Sequence, residues 1–204
     1  MSKRNHNKGV WWDFSVSPVT GCTPISPGCK HCWAEGMVNR FPKLHGFYAD
    51  EPYAPIEFGK VELHSKCLEK FERKKPAIFA LSWLGDLFHK NVPDSFIVKV
   101  MHACERNKQH TYFILTKRAM RMMEFVNKHR YKPAEPHMFF GVTVENQETF
   151  NERVRYLLGT NASRKFIHAE PLLGSIDMDY TDIYKPEYCC SDYDCACQGQ
   201  PINP

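Results

Sequence analysis

Four short, nearly continuous apolar runs limit the fold of this chain more than any other feature: Ala77–Ser82, Tyr112–Thr116, Met138–Val144 and Lys165–Ala169. Runs of this length, rich in β-branched and aromatic residues, read as strands buried on both faces. An earlier strand is expected around Phe14–Thr20. Between the runs lie segments with helical character: Cys32–Phe41, a stretch within Val61–Arg73, Asp94–Glu105, Arg118–His129 and Asn146–Leu158. The last opens on Asn146, a favoured N-cap residue, with Glu148 near its first turn. Strands alternating with helices predict parallel βαβ units with right-handed crossovers, hence an α/β barrel or open sheet. The β–α unit repeats about five times, short of the eight of a complete barrel.

Beyond Gly174 the alternation stops. Residues 175–204 are rich in Asp, Tyr, Cys and turn formers and predict an irregular tail after a folded domain spanning 1–174. A length of 204 residues suits one domain with a substantial core. The net charge of +4 is mixed along the chain and does not by itself indicate nucleic-acid binding. No apolar run approaches the ~20 residues of a membrane span. The opening MSKRNHNKGVWWDF has basic residues but no apolar core of a signal peptide, so a cytoplasmic protein without a membrane partner is expected.

Nine cysteines are too many to ignore and, being odd in number, cannot all pair internally. In a reducing compartment clustered cysteines bind metal or carry redox chemistry. Cys22, Cys29 and Cys32 are spaced C-x6-C-x2-C in a loop tightened by Gly21, Pro24, Pro27 and Gly28, and Cys32 opens a helix. A helix N-terminus favours the thiolate form. Three thiolates are one short of a closed zinc site or a fully Cys-ligated cluster. Two readings stay open on spacing: an iron–sulfur cubane with one iron left for a cofactor, or zinc completed by His31 or a distant residue. In the tail, Cys189, Cys190, Cys195 and Cys197 suit either a second metal or a flexible segment. Cys67 and Cys104, in expected helices, read as buried free thiols.

The motifs taken together resemble a known family. Ser17-Pro-Val-Thr-Gly-Cys22, Ser26-Pro-Gly-Cys29-Lys-His-Cys32-Trp-Ala-Glu35, Asp86-Leu-Phe-His89 with Val92-Pro93, Leu115-Thr-Lys-Arg118, Gly141-Val-Thr-Val-Glu145 and Glu170-Pro-Leu-Leu-Gly174 occur in order. They are similar to the three-Cys-motif proteins of phages and bacteria, which resemble radical S-adenosylmethionine proteins. The resemblance implies a partial (β/α) barrel of the radical SAM type, with about five to six parallel strands. It implies a [4Fe–4S] cluster on Cys22, Cys29 and Cys32, S-adenosyl-L-methionine as cofactor and an external electron donor. The substrate it suggests is a small molecule or a nucleobase, with phage DNA modification one setting and the host cytoplasm the location. The cysteine spacing departs from the more familiar C-x3-C-x2-C, and the Gly-rich strand expected after Gly174 is missing.

Ligand residues of such barrels sit at the C-terminal ends of strands. Ser82 and Asp86 follow the second strand, and the resemblance gives Asp86 the cofactor's amino group; an N-cap is the plain alternative. Lys117 and Arg118 follow the third strand and suit a carboxylate or other anion. Thr143 and Glu145 end the fourth and suit ribose hydroxyls. His168 and Glu170 end the fifth and face the same way. His89 reads as structural or as part of the entrance. Trp11, Trp12 and Trp33 read as packing rather than a stacking platform, and Met120, Met122 and Met123 as the packing face of a helix. Against the enzyme stand two other readings: a zinc- or cluster-bearing nucleic-acid-binding module, and a scaffold that holds a cluster and acts with a partner protein.

Overall fold

The computed structural model describes residues 11–41, 57–129 and 136–178. In chain order its elements begin with β1 (Phe14–Val16), β2 (Val19–Thr20), α1 (Trp33–Arg40), β3 (Glu62–Leu63) and β4 (Ile78–Leu81). They continue with α2 (Asp94–Arg106), β5 (Thr111–Thr116), α3 (Ala119–Lys128), β6 (Met138–Thr143), α4 (Gln147–Gly159) and β7 (Arg164–His168). Two 3-10 helices, Pro27–His31 and Lys66–Glu72, complete the set. The expected α/β class holds: one five-stranded parallel sheet runs in the order β1-β4-β5-β6-β7.

Two expected elements differ. The strand over Phe14–Thr20 is divided at Ser17-Pro18, because proline has no N–H to continue a ladder. Val19–Thr20 turns away and pairs antiparallel with Glu62–Leu63. The helix expected within Val61–Arg73 is therefore a short strand followed by a 3-10 helix. Asn146 caps α4 as expected: Thr149 N–H donates to its side chain at 3.0 Å, and Thr149 Oγ1 accepts from Asn146 N–H at 3.1 Å.

The pairing register sorts the strands into two faces. Phe79, Leu81, Tyr112, Ile114, Met138, Phe140 and Val142 share one face and are all buried. Against it pack Ile97, Val100, Met101 and Cys104 of α2, Met122, Phe125 and Val126 of α3, and Phe150, Val154 and Leu157 of α4. Each set follows helical spacing, and burying one such side chain is worth about 1.5–3 kcal/mol. Packing, more than propensity, thus fixes the helices. Met122 joins this face, Met123 meets α4 at Gly159, and Met120 is exposed. Cys67 and Cys104 are buried, and the Cys67 thiol donates to the His64 carbonyl at 2.9 Å.

The opposite face carries Phe113, Leu115, Phe139, Gly141 and Phe166. Phe113 and Phe166 lie on strands separated by β6, yet their rings are 5.3 Å apart. Gly141 makes this possible, since a Cβ there would stand 2.4 Å from the Phe166 ring. Trp83 follows β4 and His168 ends β7, with two strands between, and their rings are 5.9 Å apart. A flat sheet spaces such strands by about 14 Å. The sheet is therefore bent, with the helices outside and an aromatic concavity inside.

Trp11 and Trp12 stand against this inner face: Trp11 meets Phe113 at 4.5 Å and Trp12 meets Trp83 at 4.4 Å. Trp33 is 59% exposed. Among the described residues, no helix is long and apolar enough to cross a membrane.

Candidate functional site

The loop Cys22–Cys32 crosses the C-terminal end of the sheet, starting where Gly21 bridges to Gly85. A loop without regular pairing must satisfy its polar groups elsewhere. Here most of its bonds go to residues at the strand ends. Cys22 N–H donates to Phe58 O at 2.7 Å. Arg118 donates to the Thr23 carbonyl at 2.9 Å. His89 Nδ1 accepts from Asn91 N–H at 3.1 Å, so the proton sits on Nε2, which donates to Thr23 Oγ1 at 2.8 Å. Burial and the nearby Arg118 charge lower the His89 pKa and favour this neutral form. His89 is thus a strut for the loop, in line with its structural reading.

The middle of the loop rests on Glu145, whose side chain is fully buried. Ser26 Oγ donates to Oε1 at 2.7 Å and Gly28 N–H to Oε2 at 2.8 Å. Lys117 reaches Oε1 at 2.6 Å and Arg153 at 3.4 Å. Burial alone would raise this carboxyl, but Lys117, Ser26 and Gly28 outweigh it and hold it down at about 2. Asp86 is engaged in the same way one strand pair away. It accepts from Thr116 Oγ1 at 2.7 Å, from Phe88 N–H at 2.9 Å and from Arg118 at 2.8 Å. Two of the three carboxylates predicted to bind cofactor, Asp86 and Glu145, therefore already hold protein partners.

Two cations also touch sulfur. Arg118 Nη1 lies 3.4 Å from Cys22 Sγ, and Lys117 Nζ lies 3.9 Å from Cys29 Sγ. Burial and the Asp86 charge push the Cys22 thiol up, against the pull of Arg118. At Cys29 burial acts upward too, but hydrogen bonds at Ile25 and Ser26 and the Lys117 charge bring the thiol below its ordinary value. Cys32 caps α1, its carbonyl accepting from Gly36 N–H at 3.1 Å. All three cysteines are half-buried and free, and His31 is exposed. Among the described residues, no three His, Cys, Asp or Glu side chains are grouped as holders of a metal ion.

The remaining predicted residues lie on the concave side. Thr143 and His168 are register partners and point the same way. His168 Nε2 is 3.4 Å from Glu170, whose side chain is mostly exposed. Ser82 sits at φ 62°, a strained region for a residue with a Cβ, and is 4% exposed. Its Oγ, the Trp83 Nε1 and the His168 Nδ1 are buried without a hydrogen-bond partner among the described residues. Three such atoms at one end of a sheet ask for a ligand or water, because unpaired burial costs about 1–3 kcal/mol per group.

Sequence reasoning missed Trp83 and Arg153, and placed Ser26 and Gly28 in the loop without their contacts to Glu145. Arg153 left a trace: it falls between Phe150, Val154 and Leu157 on the buried stripe of α4, where a charge needs a partner. Cys189, Cys190, Cys195 and Cys197 lie outside the described residues. The tail expected from 175 is described only to 178, where Asp177 N–H donates to Gln147 Oε1 at 2.6 Å.

Over residues 6–192 the chain matches a family described as a protein of unknown function, DUF5131, and it belongs to that family. No curated protein and no solved structure matches it.

Proposed function

We propose that the protein is a radical S-adenosylmethionine enzyme built on a partial (β/α) barrel, with a [4Fe–4S] cluster on Cys22, Cys29 and Cys32. One observation carries the reading. The cysteine loop lies across the same sheet end at which Ser82 Oγ, Trp83 Nε1 and His168 Nδ1 are buried and have no partner among the described residues. The donor set fits the cluster. Hydrogen bonds and the Lys117 charge favour the Cys29 thiolate, as iron ligation requires, while at Cys22 the Arg118 charge offsets only in part the burial and the Asp86 charge that push the thiol up.

Cys22, Cys29 and Cys32 would hold the cluster, which, with an external electron donor, would supply the one-electron reduction of S-adenosylmethionine that radical chemistry needs. The chain's own residues orient and enclose. Ser82, Thr143 and His168, at the concave strand ends, supply hydrogen bonds to cofactor or substrate, with Glu170 at the rim. Lys117, Arg118, Asp86 and Glu145 fix the loop and set the charge around its sulfurs. The aromatic concavity excludes water and suits a flat substrate such as a nucleobase.

Anaerobic reconstitution with ferrous iron and sulfide tests this. About four irons per chain, lost on replacing Cys22, Cys29 or Cys32 by Ala, with an EPR spectrum that changes on adding S-adenosylmethionine, are expected. Zinc without sulfide, or a cluster indifferent to the cofactor, would overturn the reading in favour of a binding module or scaffold.

A further inference from the structure

We infer that Glu145 is a positioning residue for the cysteine loop, and that Gly28 is its obligatory counterpart. The inference rests on the proposed function only for what the loop holds.

Glu145 and the loop are 117–119 residues apart in sequence, so no local preference brings them together. Nevertheless both carboxylate oxygens receive loop donors, Ser26 on one and the Gly28 amide on the other. Gly28 approaches so closely that a Cβ would stand 2.4 Å from Cδ and 2.7 and 2.8 Å from the two oxygens. Nothing larger than hydrogen fits while the carboxylate is in place. The need is spatial, since Gly28 does not have a positive φ.

The carboxylate is held in turn by Lys117 and Arg153, which come from the end of β5 and from α4. The ammonium of Lys117 bridges Glu145 at 2.6 Å and Cys29 Sγ at 3.9 Å. Glu145 therefore joins three things: the loop backbone ahead of Cys29, the cation facing Cys29, and the sheet. The carboxylate is fully buried, with both oxygens engaged by donors of its own chain. Its work is to hold Cys29 at a fixed distance from the strand ends. Residues that orient metal ligands in this way typically change metal retention by about tenfold to a hundredfold when replaced.

The test uses Gly28→Ala, Glu145→Gln, Glu145→Ala and the double variant Gly28→Ala/Glu145→Ala. Ferrous iron and sulfide are loaded anaerobically, and iron release to a chelator is timed without S-adenosylmethionine. Release about tenfold faster or more in Gly28→Ala and Glu145→Gln is expected. Their cluster EPR should also shift from that of the parent protein. In the metal-free proteins, the melting temperature lost on Gly28→Ala should largely vanish in the Glu145→Ala background, where the clash is gone. Should Glu145→Gln fail to fold, Ser26→Ala removes the loop hydroxyl that meets Glu145 at 2.7 Å and Cys29 Sγ at 3.6 Å, leaves the ion pairs intact and carries the same expectation for iron release.

Unchanged iron release and EPR in these variants, or additive losses in the melting cycle, would overturn the inference. Failure of the parent protein to take up iron would instead overturn the proposed function, and the metal-free cycle would still judge the Gly28–Glu145 pairing.

Discussion

Arg118 donates to Asp86 at 2.8 Å through the same guanidinium nitrogen that lies 3.4 Å from the Cys22 sulfur. The carboxylate is almost wholly enclosed, and it competes with the thiol for one cation. Removing one partner of a buried pair leaves the other charge uncompensated, at a cost of about 3 kcal/mol. Asp86→Asn keeps the shape and the Thr116 contact, so the loss would report the charge. A urea unfolding midpoint lowered by that amount is expected in the metal-free protein. A change within about 0.5 kcal/mol would show that the pair is solvated in practice.

The bend of the sheet depends on Gly141. Its missing Cβ leaves room for Phe166 to cross β6 and reach Phe113. Gly141→Ala should destabilise by about 1–3 kcal/mol through overpacking. Adding Phe166→Leu should recover part of that loss, because a smaller side chain clears the new methyl. Thermal melts of the two single variants and the double decide it. A double variant no better than Gly141→Ala would mean that the strain lies in the backbone rather than against the Phe166 ring.

His110 gives a pH dependence away from the site. Its Nδ1 accepts from Ala77 N–H at 3.1 Å, and its Nε2 donates to Phe71 O at 2.9 Å. A protonated ring could not accept from Ala77. Burial lowers its pKa, against the carbonyls of Phe71 and Arg73 that pull it up. The unfolded chain then takes the proton first. Stability is full above about pH 6.5 and declines below it, until the folded form also protonates. His89 shifts the same way, so part of the slope should remain in His110→Gln. The variant should lose about 1–3 kcal/mol at neutral pH and show a shallower decline toward acid. An unchanged slope in urea midpoints taken between about pH 5 and 7.5 would sink the assignment.

What could be read from the sequence was local. The strands around Phe79, Ile114, Phe140 and Ile167 and the Asn146 cap are written in runs of a few residues, and they appear within a residue or two of expectation. Gly141 inside an apolar run is a signal of close approach that a sequence can carry. By contrast Val61, Leu63, Leu68 and Phe71 fit a helix as well as a strand followed by a 3-10 turn. Only the pairing of Leu63 with Val19 decides between them. The site was legible as a set of residue types at strand ends, but not in its pairings. Glu145 meets Ser26 across 119 residues, and Arg118 meets Cys22 across 96. Such contacts follow from how the parallel strands are stacked, which no local pattern records. For the same reason the partners of Asp86 and Glu145, which are Arg118 for the first and Lys117, Ser26 and Gly28 for the second, could not be read in advance.

The two cations also make the cysteines unequal. Cys29, with hydrogen bonds at its sulfur and Lys117 nearby, has its thiol lowered despite burial. Cys22 has its thiol raised by burial and by Asp86, which Arg118 offsets only in part. Only the thiolate attacks an alkylating agent, so in metal-free protein near neutral pH Cys29 should react with iodoacetamide well before Cys22. Cys104, fully buried and with its thiol pushed well up by burial, should stay unlabelled until the chain unfolds. Lys117→Met removes the charge beside Cys29 and should slow that site while leaving Cys22 unchanged. Mass spectrometry of timed digests distinguishes the sites. Equal rates at Cys22 and Cys29 would mean that the cations do not set the charge of the sulfurs, and that thiolate formation awaits the iron itself.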